Sequence, residues 1–354
     1  MTHTRWLLVL GAATAGLVLG LRFTACAPMP PGALHPPPAE LREGASGARL
    51  EADVRHLFEL GPRGQAHPQA MREAADWIEA RLGAGGVPTS RQAVPVGSPS
   101  FENIIATVGE SSDPQGAPRA PIVVGAHYDS WMDTAGADDN ASGVAGLLEL
   151  IRMLRALDSP PFVLLIAFAT EEPPHFRSAA MGSAVHAQHA HERGAPIAFM
   201  ISLEMLGYFR DDPGSQLYPS AHLRYRMPDR GDYIAIVGRE EDEALVNALR
   251  DAMSVHARMP VYGYAAPSFV EGIDFSDHRS YWARGYPAVM LTDTAFLRNR
   301  AYHSADDTPE RLDYERMALV VDGVFSALLE LGAREAELDD RARPNSRISA
   351  GQPR

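Results

Sequence analysis

The chain has 354 residues, 45% of them apolar and 22% charged, which is the composition of a globular protein rather than a disordered or fibrous one. Its charge is 32 − 45 = −13, which argues against non-specific nucleic-acid binding, a property of basic surfaces. Cys26 is the only cysteine, so an intramolecular disulfide and a cysteine nucleophile in the main domain are both excluded.

The N-terminus differs from the rest. Arg5 precedes an uncharged run from Trp6 to Leu21. That run is shorter than the roughly 20 apolar residues that span a bilayer comfortably. Residues 1–26 therefore read as a membrane anchor or signal segment. Phe23-Thr-Ala-Cys26 loosely resembles a bacterial lipoprotein cleavage site, with Phe23 where Leu is usual and Arg22 beside it. Anchor, lipoprotein and cleaved signal stay open, and each places the main domain outside the cytoplasm, in a bacterial periplasm or at the cell exterior. Residues 27–47 are rich in Pro, Gly and Ala and predict an extended linker.

The main domain is expected over residues 48–332. Leu50, Val54, Leu57 and Leu60 form one stripe and predict a helix over Arg49 to Leu60. Ala75, Ile78 and Leu82 do the same for Pro68 to Leu82. Strands and helices then alternate. Strands are predicted at Ile104–Val108, Ile122–Val124, Phe162–Phe168, Ile197–Leu203, Tyr233–Val237 and Pro287–Leu291. Helices are predicted at Ser142–Leu157, Gly182–Arg193, Glu240–His256 and Tyr314–Leu331. This alternation predicts an α/β fold, a three-layer α/β/α sandwich around a central mixed, mostly parallel sheet. Phe209 to Asp232 reads as a polar insertion, either a lid or a surface excursion. Residues 333–354 read as a disordered tail.

Chemistry concentrates where apolar strands run into polar loops. Gly125-Ala-His-Tyr-Asp-Ser130 and Gly136-Ala-Asp-Asp-Asn-Ala-Ser-Gly143 lie between a strand and a helix. Alone they are equally a turn, because Asp and Asn are ordinary turn residues. Glu171-Glu172, Glu204, His278 and His303 sit at comparable loop positions, and paired carboxylates repel unless a cation neutralises them. The bland reading of Glu171-Glu172 is a solvated turn. Together, His127, Asp138, Glu172, Glu204 and His303 offer two nitrogens and several oxygens, enough for two zinc ions and a water between them. Glu171 is then free to act as general base. Asp129 is placed to accept the other imidazole N–H of His127.

His127-x-Asp129, Gly136–Gly143, Thr170-Glu-Glu172, Leu203-Glu204 and Tyr302-His-Ser-Ala-Asp-Asp-Thr308 resemble the motifs of the co-catalytic dizinc aminopeptidase family, in the zinc exopeptidase clan. Its relatives include glutamate carboxypeptidase II and the glutaminyl cyclases. The resemblance spans about Leu50 to Leu331. It implies that His127 and Glu204 are ligands, read here as belonging to different ions although the family's first histidine shares its ion with the carboxylate at the Glu204 position. It implies Glu172 and His303 on the second ion, Asp138 as the bridge, Glu171 as the catalytic base and His278 as a second-shell or substrate-pocket residue. Glu204 stands where many members carry Asp, a departure that leaves its reach open. Asp307-Thr308 reads as the approach to the last helix, and His175, His186, His189 and His191 as surface or loop histidines.

The implied activity is zinc-dependent hydrolysis of peptides with a free N-terminus, with membrane contact through the N-terminal segment. Two further readings stand beside it: a glutaminyl cyclase with one zinc, and a binding ectodomain without catalysis. Tyr208, Tyr262 and Tyr264 are candidate oxyanion stabilisers, and the loops Phe209–Asp232 and Tyr262–Phe275 are candidate walls of the substrate pocket.

Overall fold

A computed structural model describes residues 24–26, 44–97, 100–113, 116–219, 221–255 and 257–341. Residues 1–23, most of the expected linker and 342–354 of the expected tail lie outside them. Among the described residues no helix is long and apolar enough to cross a membrane.

The two predicted entry helices form as α1 (Gly47–Glu59) and α2 (Pro68–Leu82). Ser46 caps α1 by accepting the Arg49 N–H, and Leu50, Val54 and Leu57 are buried on the predicted stripe. Proline opens α2, where its missing N–H costs nothing.

The strands are β1 (Thr24–Cys26), β2 (Thr89–Val94), β3 (Phe101–Val108), β4 (Ile122–His127), β5 (Val163–Phe168), β6 (Phe199–Glu204), β7 (Ile234–Arg239), β8 (Val261–Ala266) and β9 (Ala288–Thr292). They form one sheet in the order β1-β8-β7-β9-β6-β4-β5-β3-β2. The central run β5-β4-β6-β9 is parallel throughout. The pairs β2–β3, β3–β5, β7–β9 and β1–β8 are antiparallel. Three strands were not anticipated. β1 falls at the end of the segment expected to be an anchor or signal. β2 is a largely exposed edge strand with no apolar alternation to announce it. β8 alternates in burial but contains Tyr262, Gly263 and Tyr264, and reads as a loop.

The remaining helices are α3 (Gly143–Leu154), α4 (Gly182–Glu192), α5 (Ala221–Arg226), α6 (Glu243–Ser254), α7 (His278–Trp282) and α8 (Tyr314–Arg341). The last continues beyond Leu331 into the segment expected to be a tail. Period-two alternation sends side chains to two cores. Ile122, Val124, Leu165 and Ile201 join the large core under α1, α3, α6 and α8. Val123, Ile166, Phe168 and Met200 join a smaller one with Tyr281, on the side of α4 and α7. Helices therefore cover both faces, and the central strands are buried on both sides, giving the expected three layers.

Gly125 is required by close packing. A Cβ there would lie 2.2 Å from Phe168 Cε2. Phe168 has no exposed surface and seats the smaller core just before the chain turns toward Glu171. Phe168→Ala should lower stability by about 3–5 kcal/mol, as loss of a buried aromatic does. A urea midpoint unchanged from the parent chain would contradict this packing role.

Candidate metal centre

The sheet order brings three strand ends together. His127 closes β4, Glu204 closes β6, and Phe168 closes β5, from which the chain runs on through Ala169 and Thr170 to Glu171 and Glu172. The chain passes from β4 through α3 to β5, then through α4 back across β4 to β6. The two connections leave over opposite faces, so a crevice opens at the carboxyl edge of β4.

Nε2 of His127 lies 3.4 Å from Glu204 Oε2 and 3.5 Å from Asp139 Oδ1. The other oxygen of Asp139 is 3.1 Å from His303 Nε2, which is 3.6 Å from Glu172 Oε1. Two groups result, His127–Asp139–Glu204 and Asp139–Glu172–His303, each with donor atoms within 4.8 Å of one another. Asp139 belongs to both. His127 and Glu204 fall in one group, so the reading that assigned them to different ions gives way.

Asp138, expected as the bridge, faces elsewhere. Its Oδ1 accepts the Gly207 N–H at 3.0 Å and its Oδ2 accepts from Asn299 Nδ2 at 3.0 Å. Burial, reinforced by Asp293, pushes its carboxyl well above the usual range. Asp139 rather than Asp138 belongs to both donor groups, and the way the loop is held accounts for this. The Asp307 carboxylate accepts the backbone N–H groups of both Asp138 and Asp139, at 3.0–3.1 Å. Gly136 starts the loop at φ 56, where a Cβ would lie 1.9 Å from the Asp139 carbonyl oxygen. Asp307 was read as an approach to a helix; nothing in its local sequence announces a partner about 170 residues earlier.

Asp129 does the same for the other loop. Its carboxylate oxygens accept the N–H groups of Glu171 at 3.0 Å and Glu172 at 2.9 Å. Nδ1 of His127 lies 3.2 Å from the Asp129 carbonyl oxygen and 3.3 Å from its Oδ1. Glu204 receives a hydrogen bond from Ser276 Oγ at 2.6 Å, which fixes its longer arm. Backbone strain marks the site: Thr170, Met205 and His303 have φ of 60, 54 and 58.

Glu171 is buried but belongs to neither group. Burial pushes its carboxyl well up; His127 opposes this, and Glu204, Asp277 and Asp129 reinforce it. Burial would lower the His127 imidazole, but Glu204 and Asp129 outweigh it and hold it well above its ordinary value. Asp277 was missed. It is buried beside this cluster, neither carboxylate oxygen has a hydrogen-bond partner among the described residues, and burial pushes it up to about 7. The Ser276-Asp-His-Arg279 stretch drew attention to its imidazole instead. His278 is fully buried with Nε2 2.7 Å from the Ile273 carbonyl, edge-on to Trp282, and burial holds it down at about 4. It supports the wall of a cavity from behind rather than meeting the metal donors. His175, His186, His189 and His191 also lie outside both groups.

That cavity, about 120 Å³, begins beside Glu204 and Tyr302. Both expected wall segments reach it, with Leu223 from the first and Ile273 and Phe275 from the second. The rest is largely apolar, including Ala235, Val237 and Met290. Of the tyrosines considered from sequence, Tyr264 lines this cavity. Tyr302 also lines it and feels the charges of Asp139, Glu204 and Glu172.

The donor set fits divalent metal. Each group offers one imidazole and two carboxylates, and Glu172 Oε1 is buried without a hydrogen-bond partner. The loop between the groups is tied down by Arg63, which has no exposed surface. It donates to the carbonyls of Tyr128, Leu57 and Ala135 at 2.7–2.8 Å. Arg63→Met leaves these carbonyls unpaired and should cost about 1–3 kcal/mol of stability. Denaturant unfolding checks this; an unchanged midpoint would show that water satisfies the carbonyls as well.

Comparison with known proteins agrees with this geometry. The model of peptidase family M28 matches residues 103–328. An uncharacterized Escherichia coli protein, YfbL, is 44% identical over 80% of this chain and 88% of its own length. A probable leucine aminopeptidase of Trichophyton verrucosum is 27% identical over 65% of this chain; the match spans 57% of that protein. Among solved structures, the Legionella pneumophila LapA aminopeptidase superposes with a TM-score of 0.65 at 22% identity, covering 83% of this chain and 74% of that one. Porphyromonas gingivalis glutaminyl cyclase gives 0.58 at 19% identity, covering 81% and 99%. At those identities the two structures share the fold. The family match and the YfbL relation rest on sequence, and by them the chain belongs to peptidase family M28.

Proposed function

We propose that the chain is a dinuclear zinc aminopeptidase that removes N-terminal residues from peptides outside the cytoplasm. The observation that carries this reading is the pair of three-donor groups sharing Asp139, with Glu171 beside them and in neither. Its family and the aminopeptidase names among its relatives support it. The uncharged run from Trp6 to Leu21 supports the location.

His127, Asp139 and Glu204 would hold one zinc, and Asp139, Glu172 and His303 the other. When bound, zinc supplies a polarised carbonyl and a water acidic enough to ionise near neutral pH. Glu171 takes the proton of the attacking water on its carboxylate and returns it to the leaving amine. Burial and the neighbouring carboxylates raise its affinity for a proton, which suits a group that must hold that proton before handing it on. The buried acidic groups favour a cationic substrate amine. The apolar cavity beside Glu204 takes the first side chain, so large apolar residues are the proposed N-terminal substrates. The cyclase fold likeness leaves a one-zinc cyclase as the alternative, and two complete donor groups favour the dinuclear enzyme.

Glu171→Gln should keep two zinc ions per chain and lose at least about a hundredfold in kcat on leucine p-nitroanilide. Near-normal turnover would remove Glu171 from this role. Conversion of an N-terminal Gln to a pyroglutamyl residue that stays on the peptide, with release of ammonia and no hydrolysis of any anilide, would favour the cyclase.

Asp139→Asn should lower zinc content measured by elemental analysis, whereas Asp138→Asn should retain both equivalents. The reverse pattern would restore Asp138 as the bridge.

A further inference from the structure

The two histidines of the centre are held differently. His127 has Asp129 at its Nδ1, the hydrogen-bonded arrangement usual for a metal-ligating imidazole. His303 makes no hydrogen bond through Nδ1 among the described residues. Its ring instead stacks on Trp131, with centroids 3.7 Å apart and planes 14° from parallel. Tyr302 stacks on it as well, at 3.6 Å and 21°. Two near-parallel rings at such distances occupy opposite faces, so the imidazole is sandwiched. Its χ2 torsion would otherwise be soft.

The loop that presents Trp131 is closed by its own hydrogen bonds. The Trp131 carbonyl accepts from Thr134 N at 2.9 Å and from Thr134 Oγ1 at 2.7 Å. Ser130 N donates to the Arg63 carbonyl at 2.7 Å, and Ser130 Oγ to the Thr134 carbonyl at 2.7 Å. Arg63 grips Tyr128 before the tip and Ala135 after it. These bonds set the backbone from which the indole meets His303.

We propose that Trp131 is a positioning residue for the Asp139–Glu172–His303 group: by stacking, it fixes the imidazole plane so that Nε2 faces Asp139 and Glu172. This rests on the dinuclear reading above. A flat aromatic face replaces the hydrogen-bond acceptor that orients His127, and the two halves of the centre depend on different parts of the chain.

The test titrates zinc alone into the chelator-stripped full chain and follows it by calorimetry and tryptophan emission. The parent chain should bind two equivalents. Trp131→Ala should weaken one of them by about tenfold or more, the effect of removing an orienting partner, and leave the other in place. Trp131→Phe, which keeps a flat ring, should restore most of the affinity but lose the zinc-dependent emission change, even though Trp6, Trp77 and Trp282 remain. Unchanged affinity in Trp131→Ala would overturn the proposal. So would equal weakening of both equivalents, which would mark a general role in loop packing. Fewer than two equivalents in the parent chain would overturn the dinuclear reading itself, a result distinguishable from either.

Discussion

Asp129 is the residue through which the ends of β4 and β5 become one site. One carboxylate receives the N–H groups of two consecutive residues, Glu171 and Glu172, while the same residue faces Nδ1 of His127. The strands alone bring the chain ends within reach. They do not decide which way a side chain beyond a strand end will point. The charge-assisted bonds to successive amides do, because a carboxylate cradled by adjacent N–H groups fixes two peptide planes at once.

Electrostatics set the second constraint. Asp138, Glu171, Glu172, Glu204, Asp277 and Asp307 are all buried, and burial pushes every one of their carboxyls upward. Buried fixed cations are few nearby. Arg63 spends its hydrogen bonds on carbonyls, and burial lowers even its guanidinium to about 10. A core of this kind is tolerable when protons or metal ions share the charge. Cations bound by the donor groups would therefore also offset the buried acids that carry charge without being donors.

The sequence made the layers and most strand ends legible. Continuous apolar runs such as Phe162–Phe168, set among alternating helical patterns, read as strands covered on both faces, and they lead into Glu171-Glu172 and Glu204. His127, Glu172, Glu204 and His303 were thus findable from pattern, and the structure gathers them. What pattern could not show was any role set by long-range amide contacts. Asp307 acts on residues far back in the chain, and Arg63 acts through carbonyls that have no sequence signature. Trp131 carried no sequence signal and Tyr302 entered only as part of its motif, because stacking depends on where two loops meet. β2 and β8 were lost for a different reason: an exposed edge and a Tyr-Gly-Tyr segment lack the apolar rhythm on which strand reading depends.

The exchange of Asp138 for Asp139 follows from a repeated arrangement. Asp129 grips the amides of Glu171 and Glu172; Asp307 grips those of Asp138 and Asp139. In both acidic pairs the second residue enters a metal-donor group and the first does not. Consecutive side chains diverge along an extended or turning backbone, so two neighbours rarely reach one point. Once an external carboxylate fixes both peptide planes, one side chain must face the centre and the other must find a different use. Asp138 finds it in the amide of Gly207 and in Asn299, which ties the segment after β6 to the turn that leads to His303. Glu171 makes no such tether with its carboxylate and stays beside the centre. The same backbone device therefore yields a strut in one loop and a free carboxylate in the other. The difference lies in what surrounds the first residue of each pair, which a motif quoted in one dimension does not record.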